Sequence, residues 1–186
     1  MGTRSASGQV KVVFGGTIAN LLDASSTGTP SINLTHTINQ TFTTGTTAGK
    51  ADRVWLDKGR TLSQSATEDL DLYDLAAFDC GAGAGLDALG QAWTIADVLG
   101  ILVYNQSTSV GSLIVGNKNA TSAFAAMFNA SDTGAIGPIK PGGIFMIYNP
   151  TDPSFAVADT TDHLLTFTES GVGAVTFDVG IIARSA

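Results

Sequence analysis

Charge is scarce in this sequence of 186 residues. Asp, Glu, Lys and Arg make up 13 %, about half the usual share. The balance is acidic: nine Lys and Arg against sixteen Asp and Glu, a net charge of −7, which excludes a basic surface for nucleic-acid phosphates. There is one cysteine, Cys80, so no intrachain disulfide can form and a small disulfide-stapled scaffold is excluded. Cys80 is read as a buried, inert thiol. No apolar run approaches the ~18 residues of a membrane-spanning helix. The N-terminal MGTRSASGQV has no hydrophobic signal core, and Ala6 occupies the position where a myristoylation pattern needs Ser or Thr. Helix-length amphipathic periods are missing as well.

What remains is a chain able to bury a core, with 44 % hydrophobic residues, 22 glycines, and Ser and Thr in place of charges. Turn signals recur every 8–12 residues between short alternating runs, the pattern of an antiparallel sandwich or barrel. The clearest run is at the C-terminus. Within Ala174–Ala183, Val175, Phe177, Val179 and Ile181 share one parity, opposed by Thr176, Asp178 and Gly180. Gly143–Tyr148 and His163–Thr168 are the strands before it, with Glu169-Ser170-Gly171 as a turn. At the other end, Gln9–Phe14 is a first strand, Gly15-Gly16 a turn and Thr17–Leu22 a second strand. In Ser31–Phe42, Ile32, Leu34, His36 and Ile38 alternate with Asn33, Thr35 and Thr37. Arg53–Leu56 reads as a short strand closed by a turn at Asp57-Lys58-Gly59-Arg60, and Thr67–Leu75 as a strand with an acidic outer face. β-rich composition favours a strand over a helix through Gly100–Tyr104. The expected organisation is a short flexible N-terminal arm, residues 1–8, and a single β-sandwich domain, residues 9–186.

The residues that usually carry chemistry do not gather. His36 and His163 have no third ligand at a metal-binding spacing. Glu68, Asp69, Asp71 and Asp74 interleave with leucines where a calcium loop needs turn residues, so they read as a strand face. Gly81-Ala82-Gly83-Ala84-Gly85 lacks the buried strand, helix and spaced acid of a dinucleotide site. No serine sits in a nucleophile elbow. The glycosylation triplets at Asn33, Asn39, Asn105, Asn119 and Asn129 are read as polar turn and strand residues. No catalytic, cofactor-binding or metal site is expected, and the chain is not expected to be an enzyme.

Several elements in a shared order then resemble a known family. They are Phe14-Gly15-Gly16-Thr17 with Leu21-Leu22-Asp23, and Phe42-Thr43-Thr44-Gly45-Thr46 with Ala51-Asp52-Arg53-Val54-Trp55. Arg60-Thr61-Leu62 follows, with Ser65-Ala66-Thr67-Glu68-Asp69-Leu70-Asp71-Leu72. Lys140-Pro141-Gly142-Gly143, Asn149-Pro150 and Phe177-Asp178-Val179-Gly180-Ile181-Ile182 complete the set. From about Val10 to its end, the chain resembles small virion structural proteins of tailed bacteriophages. Cys80 and the Gly/Ala-rich loop around it depart from that pattern.

The resemblance implies an all-β, jelly-roll-like antiparallel sandwich acting as a cement, decoration or minor capsid protein. Its implied partners are the major capsid protein and copies of itself, as a dimer or trimer, with no direct nucleic-acid or membrane partner. Its implied location is the capsid surface of the virion, and the host cytoplasm during assembly. Two alternatives stay open. One is a shell-forming coat or a neck or tail component. The other is a carbohydrate-binding sandwich for host recognition, which would present an exposed aromatic such as Trp55.

Overall fold

The computed structural model describes residues 6–19, 31–75, 85–86, 92–116, 122–128, 134–171 and 173–186. Its strands in chain order are β1 (Gly8–Ala19), β2 (Ser31–Phe42), β3 (Arg53–Leu62), β4 (Thr67–Asp71), β5 (Ile95–Asn105) and β6 (Leu113–Gly116). They continue with β7 (Ala135–Ile139), β8 (Ile144–Tyr148), β9 (Phe155–Ala156), β10 (Leu164–Glu169) and β11 (Val175–Ser185). Among the described residues the one helical element is a 3-10 turn, Ala126–Phe128. The protein is all-β, and every pairing between its named strands is antiparallel.

Three sheets result. One has the order β4-β10-β6-β7; a second has β3-β11-β5-β8, with β9 also against β5; the third is β1 paired only with β2. The first two pack face to face as a β-sandwich. Their inner faces share one core, to which β11 contributes Val175, Phe177, Val179, Ile181 and Ala183, the parity read from the sequence. Across from them stand Leu70, Leu113, Val115, Leu165 and Phe167 of the other sheet. The Phe167 and Phe177 rings bridge the two layers at 5.0 Å between centroids, a tilted contact favoured by the ring quadrupoles. Trp93 is fully buried and donates its indole N–H to the Leu72 carbonyl, 3.0 Å away. That bond satisfies the one polar atom of a large apolar side chain.

Several local expectations change. Gly15-Gly16 is not a turn: β1 runs through it, pairing Gly15 with Thr35 and Gly16 with Leu34. Asp57–Arg60 is not a turn either. β3 continues to Leu62 with a register shift opposite Phe177/Val179, and Gly59, at φ 74, gives its N–H to Asp178 at 2.8 Å. This is a β-bulge, in which the left-handed glycine lets an extra residue leave the ladder without breaking the strand. β4 ends at Asp71 and does not reach Leu75. Leu72 and Leu75 nevertheless enter the core, which turns the chain after β4 inward. Glu169 is the last residue of β10 and is only 2 % exposed. Its carboxylate accepts the N–H groups of Ser65 and Gly171 at 2.6 and 2.7 Å, tying two loops together.

Polar staples close the sandwich. Arg60 on β3 reaches Asp57 at 2.5 Å and Glu68 on β4, joining the edges of the two sheets. Asn105 is fully buried at the end of β5, and its amide donates to the Gly111 and Ile139 carbonyls at 3.2 and 2.8 Å. Arg184 on β11 lies opposite Asp97 on β5, both almost fully buried. Arg184 donates from Nε to Asp97 Oδ1 at 2.7 Å, from Nη2 to Oδ2, and from Nη2 to the Thr151 carbonyl at 2.7 Å. Asp97 also accepts the Ser154 N–H at 2.9 Å, so the pair pins the loop between β8 and β9. Chiefly through its hydrogen bond to Asp97, Arg184 holds its proton even more firmly than an ordinary arginine.

Candidate interaction surface

The third sheet is the unusual part. Strands of 12 residues make β1 and β2 a ribbon about 40 Å long, since each residue advances the chain by ~3.4 Å. The pairing Val12↔Ile38 and Phe14↔His36 puts these four on one face with Val10, Gln40 and Phe42. The opposite face carries Gln9, Lys11, Val13, Thr35, Thr37, Asn39 and Thr41. Val13 apart, the described side chains make the ribbon amphipathic: one polar face and one largely apolar face.

Among the described side chains, that apolar face is covered only at its base. Phe42 is 5 % exposed and packs with Ala51 and Leu99, against which Tyr148 and Ile182 also lie. Gly8, directly opposite, leaves room for the Phe42 ring; a Cβ there would stand 2.6 Å from Cζ. Further along, exposure rises: Ile38 is 46 % and Phe14 77 % exposed. The base is held also by the Thr44 hydroxyl, which donates to the Ala6 carbonyl at 2.7 Å. Neither β1 nor β2 pairs with a strand of the sandwich.

The base of the ribbon sits on the outer face of the five-stranded sheet, and that face is apolar as well. Outward-pointing residues include Val54 and Leu56 on β3, Leu102 on β5, and Ile144 and Met146 on β8. Leu56 is 52 % and Ile144 67 % exposed. Between ribbon and sheet runs a groove of about 320 Å³, walled by Val10, Leu56, Leu102 and Met146 and floored by Gly100 and Gly180. The two glycines put bare backbone where side chains would otherwise fill it. Burial holds the Tyr148 phenol at the groove above its usual pKa. Single exposed apolar residues are ordinary on a protein surface. Here Val12, Phe14 and Ile38 on the ribbon and Val54, Leu56, Leu102, Ile144 and Met146 on the sheet leave two neighbouring apolar faces open, on the order of 700 Å² in sum.

The chemistry-bearing residues stay dispersed. His36 is exposed on the ribbon. His163 lies next to β10, with Nε2 3.8 Å from Asp71, whose carboxyl burial pushes above its ordinary pKa. Among the described residues no three His, Cys, Asp or Glu side chains gather as a metal-binding group. Trp55 and Trp93 point into the core, so neither offers a sugar-stacking platform. Asn105 is a buried core polar residue and Asn39 an exposed ribbon residue. Cys80, the glycines before Gly85, and Asn119 and Asn129 lie outside the described residues. The N-terminal arm of residues 1–8 falls outside them as well, apart from residues 6–8.

No protein-family model matches the chain, and no curated protein matches it significantly. The fold and this surface define an antiparallel β-sandwich that carries a projecting amphipathic ribbon.

Proposed function

We propose that this protein is a structural component of a tailed-phage virion, a capsid cement or decoration protein. In this reading it binds the major capsid shell together with copies of itself and works through buried area and multivalency, without chemistry. The observation that carries it is the uncovered apolar ribbon and outer sheet face, which water disfavours and another protein surface would bury. Low charge and many hydroxyls support contact-making, and the resemblance of the ordered motifs to virion proteins supplies the biological setting. A monomer clamps weakly. Several copies across neighbouring shell subunits would resist the outward pressure of packed DNA.

The test is addition of the purified protein to capsid shells that lack it. Saturable binding, with shells that withstand a higher temperature before opening, is the expected result. Absence of binding to shells at any maturation stage would rule the reading out. Binding confined to the neck or tail of the particle, located by labelled antibody, would move the protein to the alternative virion position.

A further inference from the structure

We propose that the apolar face of the β1-β2 ribbon docks on the outer face of the five-stranded sheet in a second copy of this chain. In the simplest closed assembly the second copy's ribbon returns the contact around a two-fold axis. The inference deepens the self-association part of the proposed function, but it uses nothing of the virion.

The ribbon is the starting point. A lone two-stranded hairpin is marginal in water, because it has one ladder of hydrogen bonds and no core. This one is long, and among the described side chains its anchors to its own sandwich are Phe42 and the groove-lining Gln9 and Val10, all at its base. Among the described residues, both its outer edges are unpaired. They also lack the usual protection. The sandwich edges are blunted by short strands, by acids on β4 and by Pro138 on β7, whereas β1 and β2 together hold a single formal charge, Lys11. A surface of this kind needs a cover.

Three observations favour a second copy as the cover. First, the matching surface exists on the same chain. Val12, Phe14 and Ile38 need an apolar plane, and Val54, Leu56, Leu102, Ile144 and Met146 supply one. Second, the area suffices: with ribbon and sheet face both engaged, each copy brings on the order of 700 Å² of apolar surface, near the ~800 Å² per partner of a standard stable interface. Third, the charge permits it. A chain of net charge −7 repels itself, yet no Asp or Glu occurs in either ribbon strand, so the ribbon approaches a second copy without adding carboxylates to the contact.

The test uses two variants of the full chain. Phe14→Asp with Ile38→Asp spoils the ribbon, and Leu56→Asp with Ile144→Asp spoils the sheet face. All four positions are exposed, and circular dichroism with thermal unfolding checks that both variants fold. Light scattering on a sizing column gives the mass of each. The wild type is expected as a discrete closed oligomer, and each variant is expected to self-associate at least about tenfold more weakly. The two variants are then mixed, one fluorescently labelled, and their binding is read by anisotropy. The face variant keeps an intact ribbon and the ribbon variant an intact face. They should therefore bind each other at least about tenfold more tightly than either binds itself. A monomeric wild type at every concentration overturns the proposal. So does an unchanged mass in both variants. Variants that fail to bind each other overturn it too, because that pattern belongs to ribbon-on-ribbon or face-on-face contacts. None of these outcomes depends on whether the protein binds shells.

Discussion

The buried pair between Asp97 and Arg184 allows a quantitative prediction. Both side chains are almost fully desolvated, and together they make four hydrogen bonds, two to each other and one each to Thr151 and Ser154. Asp97→Ala would strand a buried guanidinium whose remaining carboxylate neighbour, Asp152, is 3.7 Å away and half exposed. Removing one partner of a buried pair costs ~3–5 kcal/mol, and Asp152 places the expected loss near the lower end. For a chain of this length each kcal/mol shifts the melting temperature by ~2–4 °C, so a fall of roughly 6–12 °C is expected. Arg184→Met would cost a similar amount by leaving Asp97 buried with only the Ser154 N–H. The double variant Asp97→Ala with Arg184→Met replaces the pair by apolar groups and should recover much of the loss, since such replacements are often near neutral. Urea unfolding followed by circular dichroism measures all four corners of this cycle, and a coupling of ~2 kcal/mol or more is expected. A loss below about 1 kcal/mol for Asp97→Ala, or strictly additive losses in the double variant, would refute the reasoning.

Three further outcomes follow from other sites. Glu169→Ala removes the acceptor for the Ser65 and Gly171 N–H groups and should cost ~2–3 kcal/mol in urea unfolding, with faster amide exchange in both loops. Gly111→Ala would drive a Cβ into the Gly173 carbonyl and the Glu169 carboxylate, and should lower stability by ~1–3 kcal/mol. Asp71 tests pH dependence. Its folded pKa lies above the ordinary 3.8, chiefly through burial, so the stability it contributes is present below that value and is lost as pH rises through the folded pKa. Asp71→Asn should therefore unfold at an equal or higher temperature than wild type at neutral pH. The gap should close below pH 3.8, and a variant less stable at neutral pH would contradict the sign.

Strand periodicity made much of the sandwich legible. The alternation of Val175, Phe177, Val179 and Ile181 placed the central strand and its inner face, because a side chain's face follows from parity alone. Glycines misled at two places, for one reason. Gly15-Gly16 and Gly59 are compatible with turns locally, but pairing with β2 carries β1 straight through the first, and pairing with β11 on both sides of the bulge carries β3 past the second. That is a tertiary effect that local composition does not encode. The surface was harder to see. The alternation of Ile38 with its neighbours was visible, but an alternating strand in sequence looks the same whether its apolar face meets a core or open water. Only the topology, with β1 and β2 paired to no other strand among the described residues, separates the two. Likewise, Leu56 and Trp55 are adjacent apolar residues, and only the sheet's position decides that the tryptophan is core and the leucine is surface.

The most direct measurement is hydrogen–deuterium exchange of the purified protein, resolved by mass spectrometry for peptides from β1 and β2. If a second copy covers the ribbon, the amides that join β1 to β2 should exchange slowly, on a scale closer to β5 than to exposed loops. That protection should vanish on dilution and in the Phe14→Asp, Ile38→Asp variant. Ribbon amides that exchange at the rate of a free hairpin, at every concentration and equally in wild type and variant, would contradict the assembly surface.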